Sequence, residues 1–320
     1  MKVQELRNLI KTADRGLLEK AFVETYKQLR KDQKGETDVL IAGILDGKDV
    51  KDAAKEPAVN FADLAQQIKD FIENAYAQNY FAPNRVIPKN QRPKWRFLVK
   101  NYIKELSKVP AESENYPQMV KLLTDLYRVI CCACNYYLFS TEDPFRSIGW
   151  AQPDLYQLLA KKVFLNGYSK ENISAMLLCA CTGGLSRESL NIQQQMCLLN
   201  ELKTSDTRYM AIEEAKKLVE ERKTKLMGIG KNSHSQFDIE EEIDHFCDMI
   251  LILQTALAEP DVEYYFKNCK KRDREIILYR ALDLVDWLGN DQAWMQIYNW
   301  AVKKKIKPRK SLVEKYESLI

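Results

Sequence analysis

The acidic neighbours of His245 form the first group of residues whose types and spacing could do chemistry. Glu242 precedes His245 by three positions, a spacing that places two metal ligands on one face of a helix. Di-iron carboxylate bundles need a second such pair and further glutamates. The chain has 2 histidines, and no acid precedes His234 by three positions. We therefore keep a metal-dependent enzyme around Glu241, Glu242, His245 and Asp248 only as a second alternative, and expect no metal or other cofactor.

Five of the 8 cysteines form a second group. Cys131, Cys132 and Cys134 cluster on one segment, and Cys179 and Cys181 on another. Structural zinc sites typically hold their cysteines in Cys-x-x-Cys turns, whereas these cysteines fall within predicted helices at a different spacing. Reduced cysteine packs as a small hydrophobic residue. We expect these side chains to let two helices approach closely, and neither histidine is near enough in the sequence to predict a catalytic thiol.

Two glycine-containing segments resemble anion-binding loops. The segment 228–233 resembles the second half of a phosphate loop, but the first glycine of that motif would stand at Lys225. Asn232 replaces its serine or threonine, and a charged helix precedes the segment instead of a strand. Residues 183–184 are two glycines that precede Ser186. A tight turn between helices, with Ser186 as the cap of the next helix, explains this second segment without a bound anion. We predict no phosphate site at either place.

The segment 85–104, RVIPKNQRPKWRFLVKNYIK, is here called the basic segment because it carries seven bases and no acid. Cations neutralise phosphates and exposed aromatic rings stack on nucleobases, so this composition suits the binding of a nucleic acid or another polyanion. Trp95 and Tyr102 stand seven positions apart, which is core spacing, so we expect both rings to be buried. The predicted polyanion-binding or partner-binding residues are Arg85, Lys89, Arg92, Lys94, Arg96, Lys100 and Lys104.

The bases are unevenly distributed along the chain. Arg92, Arg96 and Lys100 recur at four-residue intervals, so a continuous helix would present them on one face, where acidic neighbours could also neutralise them. A second run, 303–310, adds six bases, and cations at the C-terminus of a helix explain it sufficiently. The two runs hold thirteen bases while the net charge of the chain is +4. The sequence therefore predicts an acidic body with two basic patches.

Composition limits the class of protein. The chain has 320 residues, of which 46% are hydrophobic and 29% charged, with 11 glycines and 10 prolines. These values are typical of a globular protein and exclude collagen, a disordered chain and a small disulfide scaffold. The first residues lack the apolar run of a secretory signal, and no stretch reaches the ~18 apolar residues of a membrane span. We expect a cytoplasmic protein with reduced cysteines and no membrane contact.

Helices must position these residues, because apolar side chains recur at helical spacing along almost the whole chain and no strand pattern is present. The expected fold is all-α, with about a dozen antiparallel helices stacked in a bundle or a short superhelical, solenoid-like array. Residues that can cap a helix predict helix starts at Asn60, Asp238, Asp273 and Asn290 or Asp291.

Irregular stretches suggest a division of the chain. The longest are 81–92 and 140–153, so we predict an N-terminal helical domain over 1–145 and a C-terminal helical-repeat-like domain over 146–320, or one continuous array. In the second half, residues 211–225 are rich in opposite charges with few apolar positions. That composition predicts a protruding or well-solvated helix.

The N-terminal half of the chain resembles an uncharacterised bacterial family of small all-helical proteins. The resemblance rests on a leucine-rich opening helix pair, on Ile87-Pro88-Lys89 leading into the WRFLVK motif, and on Ile148-Gly149-Trp150 before a helix; the opening leucines are Leu6, Leu9, Leu17 and Leu18. It implies a helical fold, and no catalytic residue is carried over from it.

The sequence predicts a non-catalytic cytoplasmic helical protein that binds a macromolecule. We expect the partner to be another protein. The first alternative is a nucleic-acid-binding helical array that uses the basic segment, for which affinity would fall steeply with salt. The second alternative is the metal-dependent enzyme around His245. The sequence leaves the oligomeric state open. The surroundings of the basic segment and of His245 bear on the choice among these hypotheses.

Overall fold

The computed structural model describes residues 3–47, 60–230, 233–271 and 273–320. Within these ranges the chain forms 16 α-helices, one 3₁₀-helix and no strand. The predicted all-α fold is confirmed, with somewhat more helices than expected. Lys231 and Asn232, which belong to the rejected phosphate-loop motif, lie outside the described residues.

The chain divides into two compact units, and the smaller spans residues 1–63. Asp14 begins the second helix of this unit, because its carboxylate accepts a hydrogen bond from the amide of Gly16 over 2.8 Å. Large apolar side chains such as Leu17 and Phe22 are exposed on these helices. The helices are α1 (Val3–Thr12), α2 (Arg15–Gln28) and α3 (Lys31–Leu45).

The larger compact unit spans residues 64–320. The helix that leads into this unit begins three residues before it at the predicted cap, where the Asn60 side chain accepts a hydrogen bond from the amide of Ala62 over 2.9 Å. The helices of its first half are α4 (Phe61–Tyr76), a 3₁₀-helix (Arg92–Lys94), α5 (Trp95–Ser107), α6 (Tyr116–Asn135), α7 (Pro144–Ile148), α8 (Gln152–Leu165), α9 (Lys170–Cys181) and α10 (Asn191–Glu201).

The second half of the larger unit contains six helices, and two of the predicted caps are confirmed there. The side chains of Asp273 and Asn290 accept hydrogen bonds from amides of the helices that follow them. The predicted start at Asp238 is wrong, because Ser233 supplies an equally good cap one turn earlier. The six helices are α11 (Ser205–Met227), α12 (His234–Ala256), α13 (Val262–Asn268), α14 (Arg274–Trp287), α15 (Asp291–Lys303) and α16 (Lys310–Leu319).

Helix contacts within the larger unit follow the order of the chain. The most extensive contact joins α11 to α12, and the next join α8 to α10 and α14 to α15. The extensive contacts between described helices all join elements at most three places apart in the chain. This order is typical of a stacked helical array, in which each layer touches its neighbours.

Helix α11 corrects the prediction of a solvated helix over 211–225. Its buried apolar residues are Ala211, Ile212, Ala215, Leu218 and Val219, and it packs along α12. They recur at intervals of three and four, which makes a continuous stripe on one side of the helix. The two alanines allow α11 to approach α12 closely, while most of the charges occupy the remaining faces.

A cluster of aromatic rings forms the core behind α5. Trp95 and Tyr102 are 3% and 4% exposed, which confirms that both are buried. The Trp95 ring stacks on Phe139 with 4.0 Å between centroids, and Tyr102 meets the edge of Phe71 at 5.7 Å. Burial of such large rings fixes the orientation of α5.

The predicted domain boundary between residues 145 and 146 falls inside α7. Asp143 and Pro144 begin that helix as cap and first residue, so the stretch 140–153 is less irregular than predicted. Helix α7 contacts both α5 and α6. The compact units divide at Asp63, and the division into 1–145 and 146–320 stays a prediction. In the described part of the chain, no helix combines the length and apolar character needed to cross a membrane.

Candidate polyanion-binding surface

Two side chains hold the loop that precedes α5. The Asn84 Oδ1 accepts hydrogen bonds from the amides of Val86 (2.9 Å) and Ile87 (2.8 Å). The Arg92 guanidinium donates to the carbonyls of Asn84 and Ile87, each over 3.1 Å. Arg92 therefore stabilises the loop. It lies in the 3₁₀-helix and not in α5, so the helical face of bases begins at Arg96.

Helix α5 turns its bases outward because its apolar face is anchored in the core. Trp95 and Tyr102 are buried on one side of the helix. Arg96, Lys100 and Lys104 recur at four-residue intervals on another side, and all three are exposed. The sequence therefore folds locally into a helix with one aromatic and one cationic face.

Five of the seven cations of the basic segment have no acidic partner in the part of the chain that the structure describes. Arg85, Lys89, Lys94, Arg96 and Lys100 are exposed. Among the residues that the structure describes, no carboxylate lies within 4.0 Å of these five side chains. Acidic neighbours therefore do not neutralise these five cations. Their electrostatic field can attract an incoming anion.

Exposed apolar groups lie among these cations. Phe97 is 57% exposed and Leu98 is 37% exposed. The Arg96 guanidinium lies over the Phe97 ring, 5.0 Å from its centroid, which is a cation–π contact. Helix α5 therefore offers charge together with a small apolar area.

Lys100 connects the basic segment to a cleft beside α7. Its Nζ lies 3.3 Å from the point that a Cβ on Gly149 would occupy. Gly149 ends α7 with a φ of 69°, a left-handed conformation that favours glycine. The cleft measures about 440 Å³ and is lined by Gly149 together with Arg146, Trp150, Pro153, Asp154 and Gln193, among others.

A buried carboxylate ties together the two loops beside this cleft. One oxygen of Asp143 accepts a hydrogen bond from the amide of Arg146, and the other accepts from the Ser186 hydroxyl (2.7 Å) and the Arg187 amide (3.0 Å). Burial acts to raise the pKa of Asp143, but these hydrogen bonds outweigh burial and lower it. Ser186 was expected to cap a helix. It binds Asp143 instead, and α10 begins at Asn191.

The two cysteine clusters meet near residues 183–184. A Cβ on Gly184 would lie 2.4 Å from the carbonyl oxygen of Cys131 and 2.8 Å from the Cβ of Cys134. Only glycine therefore permits this approach to α6. All 8 cysteines are free thiols. In the described ranges, no three histidine, cysteine or acidic residues are placed to hold a metal ion.

The acids of the metal-enzyme alternative are engaged with separate partners. Glu242 forms an ion pair with Arg222, and Asp248 accepts hydrogen bonds from Arg280 on α14. Glu241 is exposed. The structure therefore does not bring these side chains together with His245 around one point.

His245 joins three helices as a neutral side chain. Its Nδ1 lies 3.2 Å from the carbonyl oxygen of Cys181 on α9, and its ring accepts from the Asn191 amide group on α10 over 2.7 Å. Burial, with a smaller contribution from the charge of Arg280, lowers the pKa of His245 to about 4. Because the ring is uncharged at neutral pH, it serves as a hydrogen-bonding link between α9, α10 and α12.

The second basic run, 303–310, forms more ion pairs within the described part of the protein than the basic segment does. Arg309 pairs with Glu275 over 2.6 Å and lies over the Tyr279 ring at 4.2 Å. Lys310 pairs with Glu314 over 3.4 Å. The predicted position at the C-terminus of a helix applies to Lys303, which ends α15, whereas ion pairs hold Arg309 and Lys310.

No family model, no curated protein and no solved structure matches this chain. The resemblance of the N-terminal half to an all-helical family thus stays a prediction.

Neither Asp143 nor the cleft is predicted by the patterns of the sequence. One signal was available, because an aspartate directly before a proline is a typical start of a helix. The partners of Asp143, Ser186 and Arg187, lie more than forty positions later in the chain. No local pattern predicts contacts over that separation.

Proposed function

We propose that this chain is a non-catalytic binding protein whose basic segment binds an acidic stretch of another protein. The observation that carries the proposal is the set of five exposed cations without a carboxylate partner among the described residues. Unpaired cations on an ordered helix and loop attract an acidic partner and speed its association. Phe97 and Leu98 add the small apolar area that protein interfaces use beside charge.

A protein partner fits the aromatic residues better than a nucleic acid does. Binding of single-stranded nucleic acid relies on exposed rings that stack on bases. Trp95 and Tyr102, the two largest rings of the basic segment, are buried. The face of the exposed ring, Phe97, is shared with the Arg96 guanidinium.

The experiment compares charge reversal in the basic segment with charge reversal elsewhere. In Lys94→Glu with Arg96→Glu, both changes lie at the first turn of α5, where negative charge is compatible with the helix dipole. Lys305→Glu with Lys307→Glu makes the same change of charge in the second run. Binding of a fluorescent polyglutamate peptide is measured by anisotropy at several salt concentrations, with duplex DNA and single-stranded RNA as competing probes.

We expect the first variant to bind polyglutamate at least about tenfold more weakly, since two attractions become repulsions. The control is expected to bind as the unmodified chain does, and affinity is expected to fall with salt. Equal losses in both variants would show that net charge alone governs binding and would contradict the proposal. Stronger binding of DNA or RNA than of polyglutamate would favour the nucleic-acid alternative.

A further inference from the structure

A second recess lies between α6 and the turn that follows α9, apart from the basic segment. Its volume is about 220 Å³. Helix α6 contributes a guanidinium, two thiols and an amide, and the other wall is a thiol and a glycine turn. The lining includes Arg128, Cys131, Cys132, Asn135, Cys179 and Gly183.

Arg128 is half-buried in this recess and forms no ion pair with a described residue, although the charge of Asp125, three positions earlier, acts on it. Within the described part of the chain, no carboxylate lies within 4.0 Å of its guanidinium and no oxygen accepts a hydrogen bond from it. Its neighbour is the thiol of Cys179, which is a weak acceptor. A guanidinium has five donors in a planar fork, and leaving them unsatisfied away from water is costly.

Tyr127 also lines the recess and is 1% exposed. Among the described residues its hydroxyl forms no hydrogen bond with good geometry, and its polar neighbours are the Cys131 thiol and Gln152. The guanidinium of Arg128 is therefore the group at the recess that indicates a missing acceptor.

The surrounding thiols do not supply the missing negative charge. Burial raises the pKa of Cys131 and of Cys179, and burial also raises the pKa of Cys132. All three are therefore neutral thiols at neutral pH. The recess combines one cation with an otherwise uncharged, largely apolar lining.

We infer that this recess binds a small monocarboxylate, whose two oxygens take the Arg128 fork and whose short apolar body lies against the thiols. A carboxylate matches the planar fork in geometry. One negative charge matches one cation, whereas a phosphate would bring nearly two. Asp125, three positions before Arg128 on α6, adds negative charge nearby and further disfavours a dianion. This inference does not depend on the function proposed for the basic segment.

Two alkylating reagents of nearly equal size test the inference, because iodoacetate carries a carboxylate and iodoacetamide does not. Each reacts with a cysteine thiolate to form a sulfur–carbon bond and release iodide, so the ratio of the two rates at one cysteine does not depend on its thiolate fraction. Cys132 is half-buried in the recess, and Cys197, half-buried on α10 outside it, is the internal control. Mass spectrometry of the full chain gives the rate at each cysteine.

We expect the ratio of iodoacetate to iodoacetamide rates to be about tenfold higher at Cys132 than at Cys197. Sodium propionate should slow the iodoacetate reaction at Cys132, and sodium chloride or inorganic phosphate at the same ionic strength should slow it less. Arg128→Gln should bring the two ratios together, with folding checked by circular dichroism.

Three results would contradict the inference, and the first two would overturn it outright. The first is an equal ratio at Cys132 and Cys197 in the unmodified chain, a measurement that needs no variant to fold. The second is a high ratio at Cys132 that Arg128→Gln leaves unchanged. Equal slowing by propionate and phosphate would also contradict selection of a monocarboxylate.

Discussion

His245 shows how one buried side chain makes the stability of this fold depend on pH. Its pKa is lowered to about 4 from an ordinary 6.5, because the charged ring would lose water and lie in the field of Arg280. The unfolded chain therefore binds a proton at a higher pH than the folded chain does. As the pH falls from 6.5 to about 4, the His245 contribution lowers the free energy of unfolding by about 3 kcal/mol.

The residue-scale prediction is that His245→Gln reduces this dependence. The amide of glutamine can still donate to the Cys181 carbonyl and pair with Asn191, but it does not titrate. Urea unfolding at pH 7 and at pH 4.5 should show a smaller loss of stability in the variant than in the unmodified chain.

His234→Gln is the matched control, because it removes the other histidine, whose side chain is 90% exposed. An exposed ring meets water in both states, so we expect the control to keep the pH dependence of the unmodified chain. If His245→Gln and His234→Gln behaved alike, the assignment of this dependence to His245 would be wrong.

At the scale of elements, the turn after α9 approaches the end of α6 closely. Gly184 leaves no room for a side chain, since its Cβ would lie 2.4 Å from a backbone oxygen and 2.7 Å from the Oδ1 of Asn135. A backbone oxygen cannot move away as the end of a flexible side chain can. Gly184→Ala should therefore lower the free energy of unfolding by about 1–3 kcal/mol, measured by urea denaturation.

The control for this element is Gly228→Ala. Gly228 ends α11 with a φ of −89°, and the nearest atom to its Cβ would be a carbonyl oxygen at an ordinary 3.6 Å. We expect a change within about 0.5 kcal/mol. A loss as large as that of Gly184→Ala would mean that the alanine itself, and not the close approach, is responsible.

Local patterns predicted the elements better than they predicted the sites. The caps at Asp273 and Asn290 and the burial of Trp95 and Tyr102 follow from neighbours within a few positions. The buried stripe of α11 was missed because its apolar residues are few, although their spacing was present in the sequence. The set of unpaired cations in the basic segment depends on where distant acids lie in the folded chain, and sequence spacing does not contain that information.

At the scale of the whole molecule, the order of helix contacts in the larger unit determines how far the effect of a destabilising substitution extends. Each helix contacts elements close to it in the chain, so stability is approximately a sum of local and nearest-neighbour contributions. Units of this kind open partially from one end before they unfold completely. The basic segment lies in the first half of the larger unit and the second basic run at its far end.

The corresponding prediction uses two tryptophans at the C-terminal end. Trp294 on α15 is fully buried and stacks on Tyr298 at 5.5 Å, so Trp294→Ala should cost about 3–5 kcal/mol. In a stacked array, hydrogen exchange should accelerate in α14, α15 and α16, while amides of α6 and α8 keep their protection. Trp287→Ala, at a side chain that is 47% exposed, should leave both regions protected. Uniform acceleration across α6 to α16 in Trp294→Ala would instead show that the larger unit opens as one cooperative body, and that sequential contacts do not set its stability.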